Sequence, residues 1–222
     1  MTGAPPPPPY PAPTAALAYV AHVVSPAVLR AAPSERAARR GAVGTTTAWG
    51  HAPVRLLVLA SRVDARGTPW IRVRLAGRPN DAAAWMPAGR ARVAPTVWRL
   101  TIDRATRTLR VLRRGKVVRR FSVVVGAPGT PTPAGLFAIS EADRQPDPGG
   151  FLGTWALHLT AHSTTLENYG GGPGRVAIHG RAGASLLDPL GTARSHGCVR
   201  IDDRQVRWLA THVRGGTPVR IT

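Results

Sequence analysis

Ser195-His196-Gly197-Cys198-Val199-Arg200, with Ile178-His179-Gly180 a short loop upstream, decides how this chain is read. Cys198 is the single cysteine among 222 residues, so no disulfide can close within the chain. A thiol flanked by imidazoles and glycines is placed for nucleophilic attack. It attacks only as thiolate. Three features are expected to favour that anion: His179 and His196 as proton acceptors, the charge of Arg200, and a short helix opening at Cys198 whose N-terminal dipole stabilises negative charge. Gly197 leaves room for a carbonyl. The backbone N–H groups of Gly197 and Cys198 are then placed to form an oxyanion hole.

Outward from that stretch the pattern is mainly β. Strands are expected over 98–102, 109–112 and 117–125, joined by short turns that imply antiparallel pairing. Further strands are expected over 135–140, 155–160, 175–178 and 218–221. Val206, Leu209 and Ala210 at helical spacing predict a short helix over 203–213. Gly/Pro-rich loops at 141–150 and 167–174 flank the 155–160 strand and are candidate substrate lids. Upstream, residues 51–95 form a small β module: a strand over 54–59, a turn at Asp64-Ala65-Arg66-Gly67, the alternating Trp70-Ile71-Arg72-Val73-Arg74-Leu75, and a closing Trp85-Met86-Pro87. Residues 1–50, rich in Pro and then Ala/Arg, are too poor in large apolar groups to offset their ordering entropy and read as a disordered tail.

The paired motifs resemble the signature of the L,D-transpeptidase catalytic domain (the YkuD type). Thr132-Pro133-Ala134-Gly135-Leu136-Phe137 is similar to that family's Thr-Pro-x-Gly-x-Phe strand; the resemblance runs from about Trp98 to Thr222, and the catalytic domain it implies is placed at residues 96–222. The 51–95 module resembles a bacterial SH3-like module. The family resemblance implies a β-sandwich-like catalytic domain with one or two short helices. It implies Cys198 as nucleophile, His179 as its base and ion-pair partner, and the Gly180 carbonyl as the group that orients the imidazole. Ser195, His196 and Gly197 match the surrounding shell. Arg200 supports the site wall or meets a substrate carboxylate. The implied activity acts on peptidoglycan stem peptides. A stem tetrapeptide loses its terminal D-alanine to form a thioester, and an amine of a second stem resolves it. Water in place of the amine would make a carboxypeptidase. Carbapenem-type β-lactams are implied as acylating inhibitors. No cofactor or metal is expected, and the chain is expected to act as a monomer.

Composition bounds the alternatives. The formal charge is +19, almost all from arginine, Lys116 being the one lysine. Such a chain is drawn to polyanions, nucleic acid or an anionic bacterial envelope. A high-GC codon bias that turns Lys into Arg explains the charge equally well. The arginines are spread without a dense run, and no nucleic-acid signature accompanies them. No segment is long and apolar enough to span a bilayer. Residues 15–29 are interrupted by His22 and Pro26 and do not read as a secretion signal, so a place in the cell envelope or outside the cell is inferred from the substrate alone.

Two competing functions remain at this point. A zinc-dependent cell-wall peptidase would join His158 and His162, on one strand face, to His179 and Cys198. A wall-binding protein without catalysis would use the SH3-like module and the arginines. For the individual residues, His158 and His162 read better as satisfied core or lid histidines. Trp49, Trp70, Trp85, Trp98, Trp155 and Trp208 read as core or domain-interface residues. Asp188 and Arg194 are expected to hold loop shape, and Asp202 and Asp203 to cap the helix.

Overall fold

The computed structural model describes residues 9–48, 50–169 and 171–222. The Pro-rich start (residues 1–8) and Trp49 lie outside the described residues. Seventeen strands and one α-helix make up the described chain, arranged as two larger sheets and a two-stranded pair.

The first sheet is antiparallel and uses β1 (Ala18–Val23), β2 (Ala27–Arg30), β3 (Arg39–Val43), β4 (Arg55–Val63), β5 (Pro69–Arg74), β6 (Ala83–Pro87) and β7 (Ala91–Thr96). Its order is β3-β2-β6-β5-β4-β1-β7. The tail expected over residues 1–50 is therefore corrected for residues 18–43, which supply three strands. The physical reason is visible in their pattern. Ala21, Val23, Ala27 and Leu29 are buried and alternate with more exposed neighbours, so small apolar residues at strand period suffice once β4 and β7 offer both edges of β1 a partner. Val58, Ile71, Val73, Met86 and Val93 complete this core. The Asp64 turn forms as expected, and its carboxylate also accepts the indole N–H of the fully buried Trp70 at 3.0 Å.

The second sheet holds β8 (Trp98–Asp103), β9 (Thr108–Arg113), β10 (Lys116–Ser122), β12 (Gly135–Arg144), β13 (Trp155–His162), β14 (Arg175–His179), β16 (Val199–Arg200) and β17 (Pro218–Ile221), in the order β10-β9-β8-β17-β12-β13-β14-β16. The remaining strands, β11 (Val125–Gly126) and β15 (Ala193–Ser195), pair in parallel beside it. The strand expected over 117–125 is thus broken in two, because Val123 and Val124 leave β9 and bond Arg107 and Arg200 instead. One helix, α1 (Asp203–His212), packs Val206 and Leu209 onto the core formed by Leu100, Phe137, Leu157, Ile178 and Val219. Asp202 caps it, accepting the Arg204 N–H at 2.9 Å. Trp208 and Trp98 meet edge to face at 6.2 Å on its flank. Leu57 and Ala18 of the first sheet pack on Ala138 of β12, joining the two sheets.

Candidate active site

Cys198 sits in the bend between β15 and β16, half-buried, directly before β16. The helix expected to open at Cys198 is not there: the chain pairs with β14 as strand, Ile178 opposite Val199, and α1 starts five residues later. Gly197 takes φ +116, a backbone conformation that side-chain-bearing residues rarely adopt. Ser195, fully buried, closes the bend. Its Oγ donates to the Cys198 carbonyl and accepts the Gly197 N–H at 3.1 Å. Of the two N–H groups expected to receive an oxyanion, that of Gly197 is therefore already engaged.

The Thr-Pro loop holds this bend from the other side. Thr132, 1% exposed, donates to the Gly197 carbonyl at 2.9 Å and accepts the Gly126 N–H at 2.8 Å. Thr130 Oγ1 donates to the Ser195 carbonyl at 3.0 Å. The motif residue Thr132 was visible in sequence, but its link to the cysteine bend was not.

His179 ends β14 and is almost fully buried. Its Nδ1 lies 2.7 Å from the Gly180 carbonyl. That contact requires Nδ1 to carry the proton and leaves Nε2 as the basic nitrogen. Nε2 is buried with no hydrogen-bond partner. Gly180 is required here by close approach, since a Cβ would fall 2.3 Å from Asp203 Oδ1. Asp203, expected as a cap, instead accepts Thr154 N–H at 2.7 Å and Thr154 Oγ1 at 3.0 Å. It thereby pins the turn that carries Phe151 and Leu152 over the His179 ring, with Phe151 centred 6.0 Å away.

Cys198 and His179 line one cavity of about 170 Å³ together with Phe151, Tyr169, His196 and Arg200. His196 is exposed at its edge. It stacks on Tyr169 at 5.1 Å, with Tyr169 Oη 3.3 Å from Nδ1. Arg200 is 3% exposed. One of its nitrogens pairs with Asp188, its guanidinium lies 4.7 Å from the Phe151 ring centre, and its Nε is buried without a partner. Asp188 thus holds more than loop shape, because it balances a buried cation.

Burial bears on both titrating groups. Burial pushes the Cys198 thiol up, and the opposing pull of the Ala177 backbone N–H and of Arg200 does not overcome it. Burial, with the nearby Arg200 charge, pushes the His179 ring down to about 4, against the favourable Gly180 carbonyl. Burial thus works against the charged form of both groups, opposite in direction to the ion pair that the resemblance implies.

The loop from β13 to β14 forms a further wall through Ser163, Leu166, Tyr169 and Gly174. Sequence reasoning placed a lid here but missed Phe151 as its counterpart. It also missed Arg78 and Asn80, which reach this loop from the first sheet. The zinc cluster does not assemble. His158 Nε2 faces Asp143 Oδ2 at 3.2 Å. The His162 backbone is engaged by Asn80. Among the described residues no three His, Cys, Asp or Glu side chains converge on a metal position.

Comparison with known proteins bears on this arrangement. The family model of the L,D-transpeptidase catalytic domain (YkuD) matches residues 98–221. The protein named YkuD of Bacillus licheniformis is 33% identical over 155 residues, covering 67% of this chain and 84% of that protein. Among solved structures, L,D-transpeptidase 3 of Mycobacterium tuberculosis, in complex with a faropenem-derived adduct, aligns with a TM-score of 0.47. It is 17% identical over 76% of this chain and 91% of that one. An Enterococcus faecium L,D-transpeptidase mutant aligns with a TM-score of 0.40 and 22% identity over 56% of this chain, which spans about half (49%) of that structure's length. The family match takes in more than half of the chain, from the first strand of the second sheet to the last, and with it Thr132, His179 and Cys198; this chain belongs to the L,D-transpeptidase catalytic domain (YkuD) family.

Proposed function

We propose that this chain crosslinks peptidoglycan stem peptides through a thioester on Cys198. The supporting observation is that Cys198 and His179 face one cavity, with the ring fixed through Nδ1 on the Gly180 carbonyl and Nε2 left without a partner. Cys198 Sγ attacks the carbonyl carbon between the third residue of a stem tetrapeptide and its terminal D-alanine. The thiol proton passes to His179 Nε2 and from there to the leaving nitrogen, so D-alanine departs with a neutral amine and its carboxylate unchanged, and a thioester remains. The side-chain amine of a diamino acid on a second stem then attacks the thioester. The sulfur leaves and regains a proton from the attacking amine by way of Nε2. With burial disfavouring both charged forms, proton transfer in this reading accompanies attack rather than preceding it.

The other site residues take supporting roles. Ser195 and Thr132 hold the cysteine bend, and Gly197 supplies its unusual backbone angle. The Cys198 N–H is the remaining backbone donor for the developing oxyanion. Arg200 lines the cavity and supplies the positive charge that faces a substrate carboxylate. The place of action is the cell envelope, where such stems are found, and among the described residues no helix is long and apolar enough to cross a membrane.

The test is mass spectrometry of products from purified tetrapeptide stems. Wild type is expected to give free D-alanine and a crosslinked dimer, and Cys198→Ala neither. Turnover by Cys198→Ala, or turnover abolished by a chelator, refutes the proposal.

A further inference from the structure

One guanidinium from the first sheet holds both stems of the loop that closes the Cys198 cavity. Arg78, in the turn between β5 and β6, donates through Nη1 to the Pro173 carbonyl at 2.9 Å. Its Nη2 donates to the Ser163 carbonyl at 3.1 Å and the Leu166 carbonyl at 3.0 Å. Two residues on, the Asn80 side chain imitates a strand backbone against the end of β13. Its Nδ2 donates to the His162 carbonyl at 2.8 Å, and its Oδ1 accepts the His162 N–H at 2.7 Å. All five bonds fall on His162 or on the β13–β14 loop, whose Ser163, Leu166, Tyr169 and Gly174 line the cavity.

These contacts are more than a way of docking two sheets. Docking is already provided by the apolar seam of Ala18, Leu57 and Ala138. The loop's own bonds, by contrast, are short-range: Ser163 N–H bonds the Gly174 carbonyl at its base, Ser163 Oγ accepts from the Thr165 and Leu166 N–H groups, and Tyr169 and Gly172 exchange backbone bonds near the tip. Its tip projects Tyr169, itself 47% exposed, onto His196 beside the cysteine. A loop with few buried apolar contacts opens locally at small free-energy cost. Charge-assisted bonds to three of its carbonyls oppose that opening.

We infer that Arg78 and Asn80 are positioning residues: the upstream sheet clamps the β13–β14 loop over the Cys198 cavity, and the clamp sets how often water reaches the acyl group. The inference deepens the proposed reaction and rests on it for the fate of the thioester. With the clamp intact the loop excludes water, and the amine of a second stem resolves the thioester. With the clamp loosened, water attacks the thioester carbon, the sulfur leaves, and a trimmed stem is released instead of a dimer.

The experiment has two readouts, one of which does not depend on the reaction. The first is the rate of iodoacetamide alkylation of Cys198. Arg78→Ala and Asn80→Ala are each expected to raise it about tenfold, Arg78→Lys to raise it less because an ammonium replaces only part of the fork, and the exposed Arg36→Ala to leave it unchanged. The second is the ratio of dimer to trimmed stem, expected to fall in the same order, with KM for the donor stem rising more than kcat for D-alanine release falls. If Arg78→Ala does not fold, Asn80→Asp, which removes one donor at constant shape, is read instead. Alkylation rates within twofold of wild type in every folded clamp variant overturn the clamp. Faster alkylation with an unchanged product ratio overturns its role in excluding water. Loss of all turnover chemistry in wild type would count against the proposed reaction, while the alkylation rates would still report on the clamp.

Discussion

Acid should leave the thioester-forming step intact far below the pH at which an ordinary histidine base fails. An unperturbed imidazole titrates near 6.5, so at pH 6 about three-quarters of it is protonated and unable to accept a thiol proton. His179 is held down at about 4, which leaves the ring about 99% neutral at pH 6. That difference corresponds to roughly 3 kcal/mol in favour of the neutral ring. The base form is the active one, so kcat/KM for D-alanine release is expected to rise with pH through about 4 and to be flat from about pH 5 to 7. Arg200→Met removes a charge that disfavours the imidazolium and should move the acid limb upward. The same imbalance acts on folding. The unfolded chain binds a proton that buried His179 refuses, so this residue's contribution is fully present above about pH 6.5 and is lost as pH falls toward 4, by up to roughly 3 kcal/mol. Single-turnover D-alanine release between pH 3.5 and 8 reads the first effect, and urea melts at pH 7 and 4.5 read the second. An acid limb near 6.5 in wild type, or a downward move in Arg200→Met, refutes the reasoning.

Three other outcomes are expected. Thr132→Val keeps shape but strands the Gly197 carbonyl and the Gly126 N–H, which should cost about 2–3 kcal/mol in urea melts and slow acylation more than it weakens substrate binding. Gly180→Ala drives a methyl group onto Asp203 Oδ1; the Thr154 turn must shift, and kcat/KM should fall at least about tenfold, with circular dichroism confirming that the fold persists. A carbapenem is expected to add its mass to wild type and not to Cys198→Ala in intact-mass spectra, and an adduct retained by the alanine variant would place acylation elsewhere.

Much of the second sheet was legible because its strands are bounded by turn residues and its buried positions alternate. Strand β8, the β8–β9 and β9–β10 turns, α1 and β17 stand close to where periodicity puts them. The errors have specific causes. Residues 18–43 looked unstructured because they hold few large apolar side chains among Ala, Val and Arg, and their burial comes from partners supplied by β4, β6 and β7. Cys198 looked like the start of a helix because the helical pattern from Asp203 is close by, whereas parallel pairing with β14 claims the residues between. The motif pointed to Cys198 and His179 but not to how deeply they are covered, because desolvation depends on the walls around them, here Phe151 and the β13–β14 loop. Arg78 carries no local signal at all: its three acceptors lie 85 to 95 residues away in sequence.

Strand β17 lies between β8 and β12, pairing in parallel with one and antiparallel with the other. Until residues 218–221 are in place, the catalytic half divides into a three-stranded meander and a separate group bearing His179 and Cys198, each with an open, unsatisfied border. Joining them is a long-range closure of the kind that slows assembly. A chain halted short of those four residues would hold both Cys198 and His179 and still lack the seam that brings its two parts into one sheet.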